Sequence, residues 1–257
     1  RVVDFFVEEL DLQRLGFAYL KTNQPEKAIA EFKRVLEMRP EDPFSTYYLG
    51  LSYLEQGDRK STIETWQTYR NSREPLIERE IRRQVTLIEM VECMHLARQA
   101  LEEEQRLMSL PPRERSAAVL YFKDVSPDKR FQHFGEAMTA MIITDLSQVQ
   151  ALQVLERLRV HFLLMEMNLG QTGIIDPGTA PKAGRLLGAE NLIVGTMELG
   201  SLTIKSSVTS TSKQDLVGVI LVFGELDQFY TLEKEIVYNI LKVLQVPFTL
   251  EEEARFS

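Results

Sequence analysis

Side chains that do chemistry are few in this chain, and their spacing decides what each can do. Cys93 and His95 stand two positions apart on a candidate helix, so they point to different sides and cannot share a metal ion. His133 and His161 have no second ligand at helical spacing and read as structural histidines. Gly178 and Gly184, followed by Arg185, carry the glycines of a phosphate loop. Five residues separate them and no Lys–Ser/Thr follows, which leaves an ordinary helix start and a packing glycine. Gly170 and Gly173 mark a turn. Ser126 lacks the glycine elbow that presents a nucleophile. Asp124, Asp128 and Asp145 would be an acid/base set only if brought together, and a polar loop with a helix surface accounts for them. Met138, Met141, Met165 and Met167 fall at helical steps, as core methionines do, and Glu102–Glu104 and Glu251–Glu253 read as solvated runs. The expectation is a chain without catalytic residues, cofactor or metal, one that is not an enzyme.

The elements that carry these residues need two cores, and 257 residues with 44% hydrophobic content can supply them. A net charge of −8 argues against broad binding of nucleic acid or anionic lipid. The single cysteine excludes an internal disulfide framework and fits either redox compartment. No apolar run approaches the ~20 residues of a spanning helix. Arg1 is not an initiator methionine, so an upstream segment is expected, with a signal peptide, a lipid anchor or further repeats all open.

The first half repeats. Leu15–Gly16–Phe17–Ala18–Tyr19 returns 34 residues later as Leu49–Gly50–Leu51–Ser52–Tyr53, and Phe32 returns as Trp66. Pro40 closes the first unit and Pro75 falls just after the equivalent place in the second. This period and these positions resemble the tetratricopeptide repeat, in which a small residue lets paired helices approach and aromatics fill the space between them. Thr62 departs from the alanine usual there. Val2, Val3, Phe5 and Phe6 read as the tail of an earlier helix. From Pro75 to Met108 one long charged helix is expected, with Ile77, Ile81, Val85, Ile88, Val91 and Met94 on one stripe, capping the second repeat. Projected onto the inner helices, the concave positions are Leu10, Gln13, Phe17 and Leu20, then Phe44, Tyr47, Leu51 and Leu54. Two readings stand: the protein's own long helix fills this apolar face, or a partner's helix or strand does. In the second, Gln13, Phe17, Leu20, Tyr47, Leu51 and Leu54 are the partner-binding residues.

Leu110–Pro111–Pro112 ends the helical pattern, giving expected domains of 1–110 and 113–257. The second is organised around Asn191–Glu198, a short apolar run suited to a strand buried on both faces. Thr179–Gly188 before it reads as a helix capped by Thr179, joined to the strand by an Ala189–Glu190 link. Strands are expected at Ser116–Phe122, Leu152–Leu155, Leu202–Ser210 and Val217–Phe223, with helices over Phe131–Leu146, Arg157–Met167 and Leu232–Leu244. The order βαβααβββα implies a mixed sheet with helices packed on it. The chain is therefore expected to be α, then α/β.

The series AVLYF, FGEAMTAMIITDL and Val154–Glu156, with Arg157, Leu163–Leu164, Glu166, Thr179–Ala180, Gly184, Leu187–Gly188–Ala189 and Val194–Gly195, resembles the curli-transporter-type periplasmic domain. That group also resembles the amino-terminal domain of TolB and flagellar outer-membrane proteins of the same fold. The resemblance implies a bacterial, periplasmic, outer-membrane-associated protein that assembles with envelope proteins or with copies of itself. A secretion-ring subunit and a small-ligand sensor with a pocket near the carboxyl ends of the strands are the alternatives. The outward face of the Leu202–Phe223 hairpin, with its Thr, Ser and Lys, is not lipid-like, which argues against a pore. Lys123–Lys129 and Gly170–Pro177 are the exposed recognition loops expected in this half.

Overall fold

The computed structural model describes residues 2–67, 69, 74–126, 134–167, 179–199 and 202–253. The chain divides into two compact units, Arg1–Glu92 and Cys93–Ser257, and the division falls inside a helix.

The first unit is a run of paired helices: α1 (Val2–Lys21), α2 (Pro25–Met38), α3 (Pro43–Glu55), α4 (Arg59–Gln67) and the first part of α5 (Pro75–Glu102). Proline opens α2, α3 and α5, where its missing N–H costs nothing. Asp42 caps α3 by accepting the Ser45 N–H at 2.8 Å, and Asp58 accepts the Ser61 N–H at 3.0 Å at the start of α4. Consecutive helices pack on one another, α1 on α2, α2 on α3 and α3 on α4. The repeated glycine explains how closely. A Cβ on Gly50 would lie 2.1 Å from the Trp66 indole nitrogen, and one on Gly16 would lie 3.0 Å from the Phe32 ring. Thr62, in the position usual for alanine, is buried and donates to the Asp58 carbonyl at 2.9 Å. Two expectations change. Residues 2–6 continue directly into α1 instead of ending an earlier helix. The helix expected over 75–108 breaks at Glu103 into α5 and α6 (Glu104–Ser109), and its apolar stripe stops at Ile88, because Val91 is exposed.

The second unit holds a five-stranded sheet in the order β2-β1-β3-β4-β5. Its strands are β1 (Arg113–Asp124), β2 (Gln153–Val154), β3 (Ala189–Glu198), β4 (Leu202–Ser210) and β5 (Leu216–Gly224). β1 runs parallel to β2 and β3, while β3, β4 and β5 are antiparallel. The central strand is the expected apolar run, and a Cβ on Gly195 would sit 2.2 Å from the Phe122 ring, so only glycine lets that ring cross β3. The α7 (Phe134–Leu146) and α10 (Phe229–Val243) helices bury Met138, Ile142, Ile236 and Ile240 against Val119, Ile193 and Ile204. α8 (Arg157–Glu166) packs on β1 and α9 (Ala180–Leu187) on β3, and a four-residue α11 (Leu250–Glu253) comes after α10.

Local details differ from expectation. Gly188 ends α9 in the left-handed region at φ 72°, and β3 begins at once at Ala189, with no intervening link. Thr179 stands at the N-cap position but makes no side-chain capping bond. The outer face of the β4–β5 hairpin is polar on only one strand. Thr203, Lys205 and Ser207 of β4 lie beside Phe223, Leu221 and Val219 of β5, and those three are exposed.

Candidate partner-binding face

The concave positions of the first unit are set by the 34-residue register, so each has a counterpart: Leu10 and Phe44, Gln13 and Tyr47, Phe17 and Leu51, Leu20 and Leu54. Exposure separates one pair, Phe17 and Leu51, while Leu10 and Phe44 are both exposed and the other two pairs are partly buried. Tyr47, Leu51 and Leu54 are partly buried against a cluster formed by Trp66, Tyr69, Ile81 and Ile88, with Ile77 and Val85 of α5 packed on the same cluster. Tyr47 stacks on Trp66 at 5.9 Å and 14°, and the Trp66 indole N–H reaches the Thr46 and Tyr47 carbonyls at 3.2 and 3.3 Å. Burial, followed by the Glu80 carboxylate, raises the pKa of the Tyr47 hydroxyl above its ordinary value.

The first repeat's positions are more open. Leu20 packs partly buried on the Ala28–Ile29–Phe32–Leu49 cluster. Phe17 meets Tyr48 edge-to-face at 5.3 Å and carries Lys21 Nζ 5.2 Å from its ring centroid. It remains 39% exposed, with Leu10 at 49%, while Phe44, the second repeat's counterpart of Leu10, is equally open at 54%. Gln13 is half-buried and donates to Asp42 Oδ2 at 2.9 Å and to Ser45 Oγ at 3.4 Å, so it fixes the α1–α3 contact. Of the six predicted residues, Tyr47, Leu51 and Leu54 pack on the cluster that includes α5, Gln13 and Leu20 are partly buried within the repeats, and Phe17 is exposed.

Among the described residues of the second unit, the candidate acids Asp124 and Asp145 have separate partners. Asp124 accepts the Ser126 N–H at 2.8 Å, while Asp145 pairs with Lys234 on α10. Tyr121 bonds His161. Asp128, His133, Gly178 and the loop Gly170–Pro177 lie outside the described residues, as does the end of Lys123–Lys129. The described residues contain no group of three or more His, Cys, Asp or Glu able to hold a metal ion, and no helix long and apolar enough to cross a membrane.

Sequence reading missed two electrostatic features. Glu233 is 0% exposed, and neither of its carboxylate oxygens has a hydrogen-bond partner. Burial and then the Asp145 carboxylate raise its pKa to about 7, against the opposing pull of Lys234, whose Nζ lies 3.6 Å from Oε2. The signal was its position, three and four residues before Ile236 and Val237 on the inner stripe. The second feature is a network of Glu9 with Arg39 and Asp42, in which Glu9 lies 30 residues before Arg39 and so leaves no local trace. The larger clefts include one of about 490 Å3 at the amino ends of β1 and β3, lined by Arg115, Glu190, Asn191 and Lys213. This is the opposite end of the parallel strands from the one expected for a ligand pocket.

Comparison with known proteins agrees with the two-part order. Residues 10–42 match the tetratricopeptide repeat, and residues 98–207 match the family described as curli production assembly/transport component CsgG. The chain carries a tetratricopeptide repeat followed by a region of that curli-assembly type. No curated protein matches it. Among solved structures, the LpoB C-terminal domain from Salmonella enterica is 8% identical, with 51% of this chain and 94% of that one covered and a TM-score of 0.38. TolB from Acinetobacter baumannii is 12% identical, covering 53% of this chain and 30% of that one, at 0.36. Lipoprotein GNA1162 from Neisseria meningitidis is 14% identical, covering 49% and 98%, at 0.37. Likenesses this weak leave the fold to be read from the strand order itself.

Proposed function

We propose that this protein is a non-catalytic assembly or scaffold protein of the bacterial cell envelope, periplasmic and outer-membrane-associated, that works by binding other proteins. The observation that supports this most directly is the open apolar surface of the repeats, where Leu10 and Phe17 of the first and Phe44 of the second keep large side chains in solvent beside the ordered Gln13. Such a face suits the apolar side of a partner's helix or strand. Phe17 and Leu20 are its anchors, and Tyr47, Leu51 and Leu54 become available only where α5 yields. The match to a curli-assembly family supports an envelope setting.

A second reading, self-association as in a secretion ring, is favoured by one feature: the exposed apolar row Val217, Val219, Leu221 and Phe223 on edge strand β5. The test of the first reading is capture from a detergent-solubilised envelope extract on the immobilised chain. A protein retained by the native form should fall at least about tenfold on Phe17→Ala with Leu20→Ala, an effect of about 1.4 kcal/mol or more. Equal retention on a variant that keeps the native melting curve would remove this face from the account.

A further inference from the structure

Among the described residues of the first unit, two carboxylates are taken out of water: Glu9 at 2% and Asp42 at 3% exposed. Asp42 is held on all sides. Its Oδ2 accepts from the Ser45 N–H at 2.8 Å and from Gln13 Nε2 at 2.9 Å, and it caps α3. Glu9 is not. Its Oε1 accepts from Arg39 Nη1 at 2.6 Å, while its Oε2, equally buried, has no hydrogen-bond partner. Arg39 Nη1 also lies 3.8 Å from Asp42 Oδ1, so one guanidinium serves two buried carboxylates. A buried carboxylate oxygen left without a donor is costly, and a charged donor is the group that offsets it best.

These groups line a cleft of about 780 Å3. With Glu41 and Glu74 the lining carries the carboxylates of Glu9, Glu41, Asp42 and Glu74 against the single guanidinium of Arg39. Its lips are apolar: Leu10 and Phe44, both exposed. We propose that this cleft is a basic-side-chain pocket, in which an arginine or lysine of a protein partner reaches Glu9 while flanking apolar residues lie on Leu10 and Phe44. Glu9 Oε2 selects the occupant, since an acidic or neutral side chain would bring no charged donor to that buried oxygen. The inference rests on the reading that the repeats bind a protein, and adds the chemical class of that partner's contact.

The test uses the full chain and a fluorescein-labelled heptapeptide with one central arginine flanked by leucines, read by anisotropy. Its counterparts carry citrulline or glutamate at the centre. The arginine peptide should bind at least tenfold more tightly than the citrulline peptide and lose most of that advantage at 0.5 M salt. Glu9→Gln, which preserves the acceptor for Arg39, should lower arginine-peptide binding tenfold or more, while Glu235→Gln on the other unit leaves it unchanged. Equal binding of the arginine and citrulline peptides to the native chain overturns the proposal without recourse to any variant. An equal loss in Glu235→Gln reduces the effect to bulk charge and overturns it too. Spermidine displacing the peptide as well as unlabelled peptide does would assign the cleft to a small polyamine instead. If Phe17→Ala abolishes peptide binding while Glu9→Gln does not, the pocket falls and the protein-binding reading stands. If neither changes it, both fall.

Discussion

The two repeats share a 34-residue register and expose it differently. Phe17 in the first and Leu51 in the second occupy one structural position, yet Phe17 stands in solvent while Leu51 packs on the cluster that contains Ile81 and Ile88 of α5. Residue type does not decide this, because both are large and apolar. The helix next to the second repeat does: α5 lays Ile77, Ile81, Val85 and Ile88 over it. The contrast between covered and open positions recurs for charge in the sheet half. Lys234 hydrogen-bonds Asp145 but stands 3.6 Å from Glu233, which is fully buried and has no hydrogen-bond donor.

The strongest attempt to break this contrast is Trp66→Ala. It removes the stacking partner of Tyr47 and the centre of the covered cluster, so a loss of about 3–5 kcal/mol is expected in urea denaturation. A loss under about 1 kcal/mol would mean that α5 does not depend on that cluster. The next effect is on charge. With its pKa raised from the ordinary carboxyl range to about 7, Glu233 contributes stability that is fully present below the unfolded pKa and is lost as pH rises through the folded one. The native protein should therefore lose up to about 3 kcal/mol between pH 4.5 and pH 8, and Glu233→Gln should flatten that slope. Parallel slopes for the two proteins would show Glu233 titrating normally.

Smaller effects sharpen the comparison of the repeats themselves. Gly50→Ala forces a Cβ into the Trp66 ring, which its indole hydrogen bonds hold in place, and should cost about 1–3 kcal/mol. Gly16→Ala meets the Phe32 ring only at 3.0 Å, so the better helix propensity of alanine should keep its effect within about 1 kcal/mol. Equal costs would show that the two glycine contacts are equally tight. Phe17→Ala should change stability least, by under about 1 kcal/mol, while it weakens partner binding.

Much of the fold was legible because the signals were local. The 34-residue return of Gly16 and Phe32 as Gly50 and Trp66, Pro75 at the start of α5, and the apolar run of β3 are all signals read from sequence position and residue type alone. The site was legible only as a set of positions. Which of Phe17 and Leu51 stays open depends on α5, which lies dozens of residues away in sequence. The Glu9–Arg39 pair spans 30 residues with no periodic trace. The exposed row of β5 was hidden for another reason: Leu216–Gly224 is apolar at nearly every position, and such a run reads as a strand covered on both sides.

The central claim is that the first repeat's open face meets a protein partner. Site-specific photo-crosslinking in the native envelope tests it most directly, with a benzophenone amino acid replacing Phe17 and, in parallel, the equally exposed Leu87 of α5. The account predicts one discrete adduct from position 17 and none of that mass from position 87, with the Phe17 adduct lost under competition by excess unlabelled chain. The same adducts from both positions, or none from position 17 in a protein that retains its native melting curve, would contradict it.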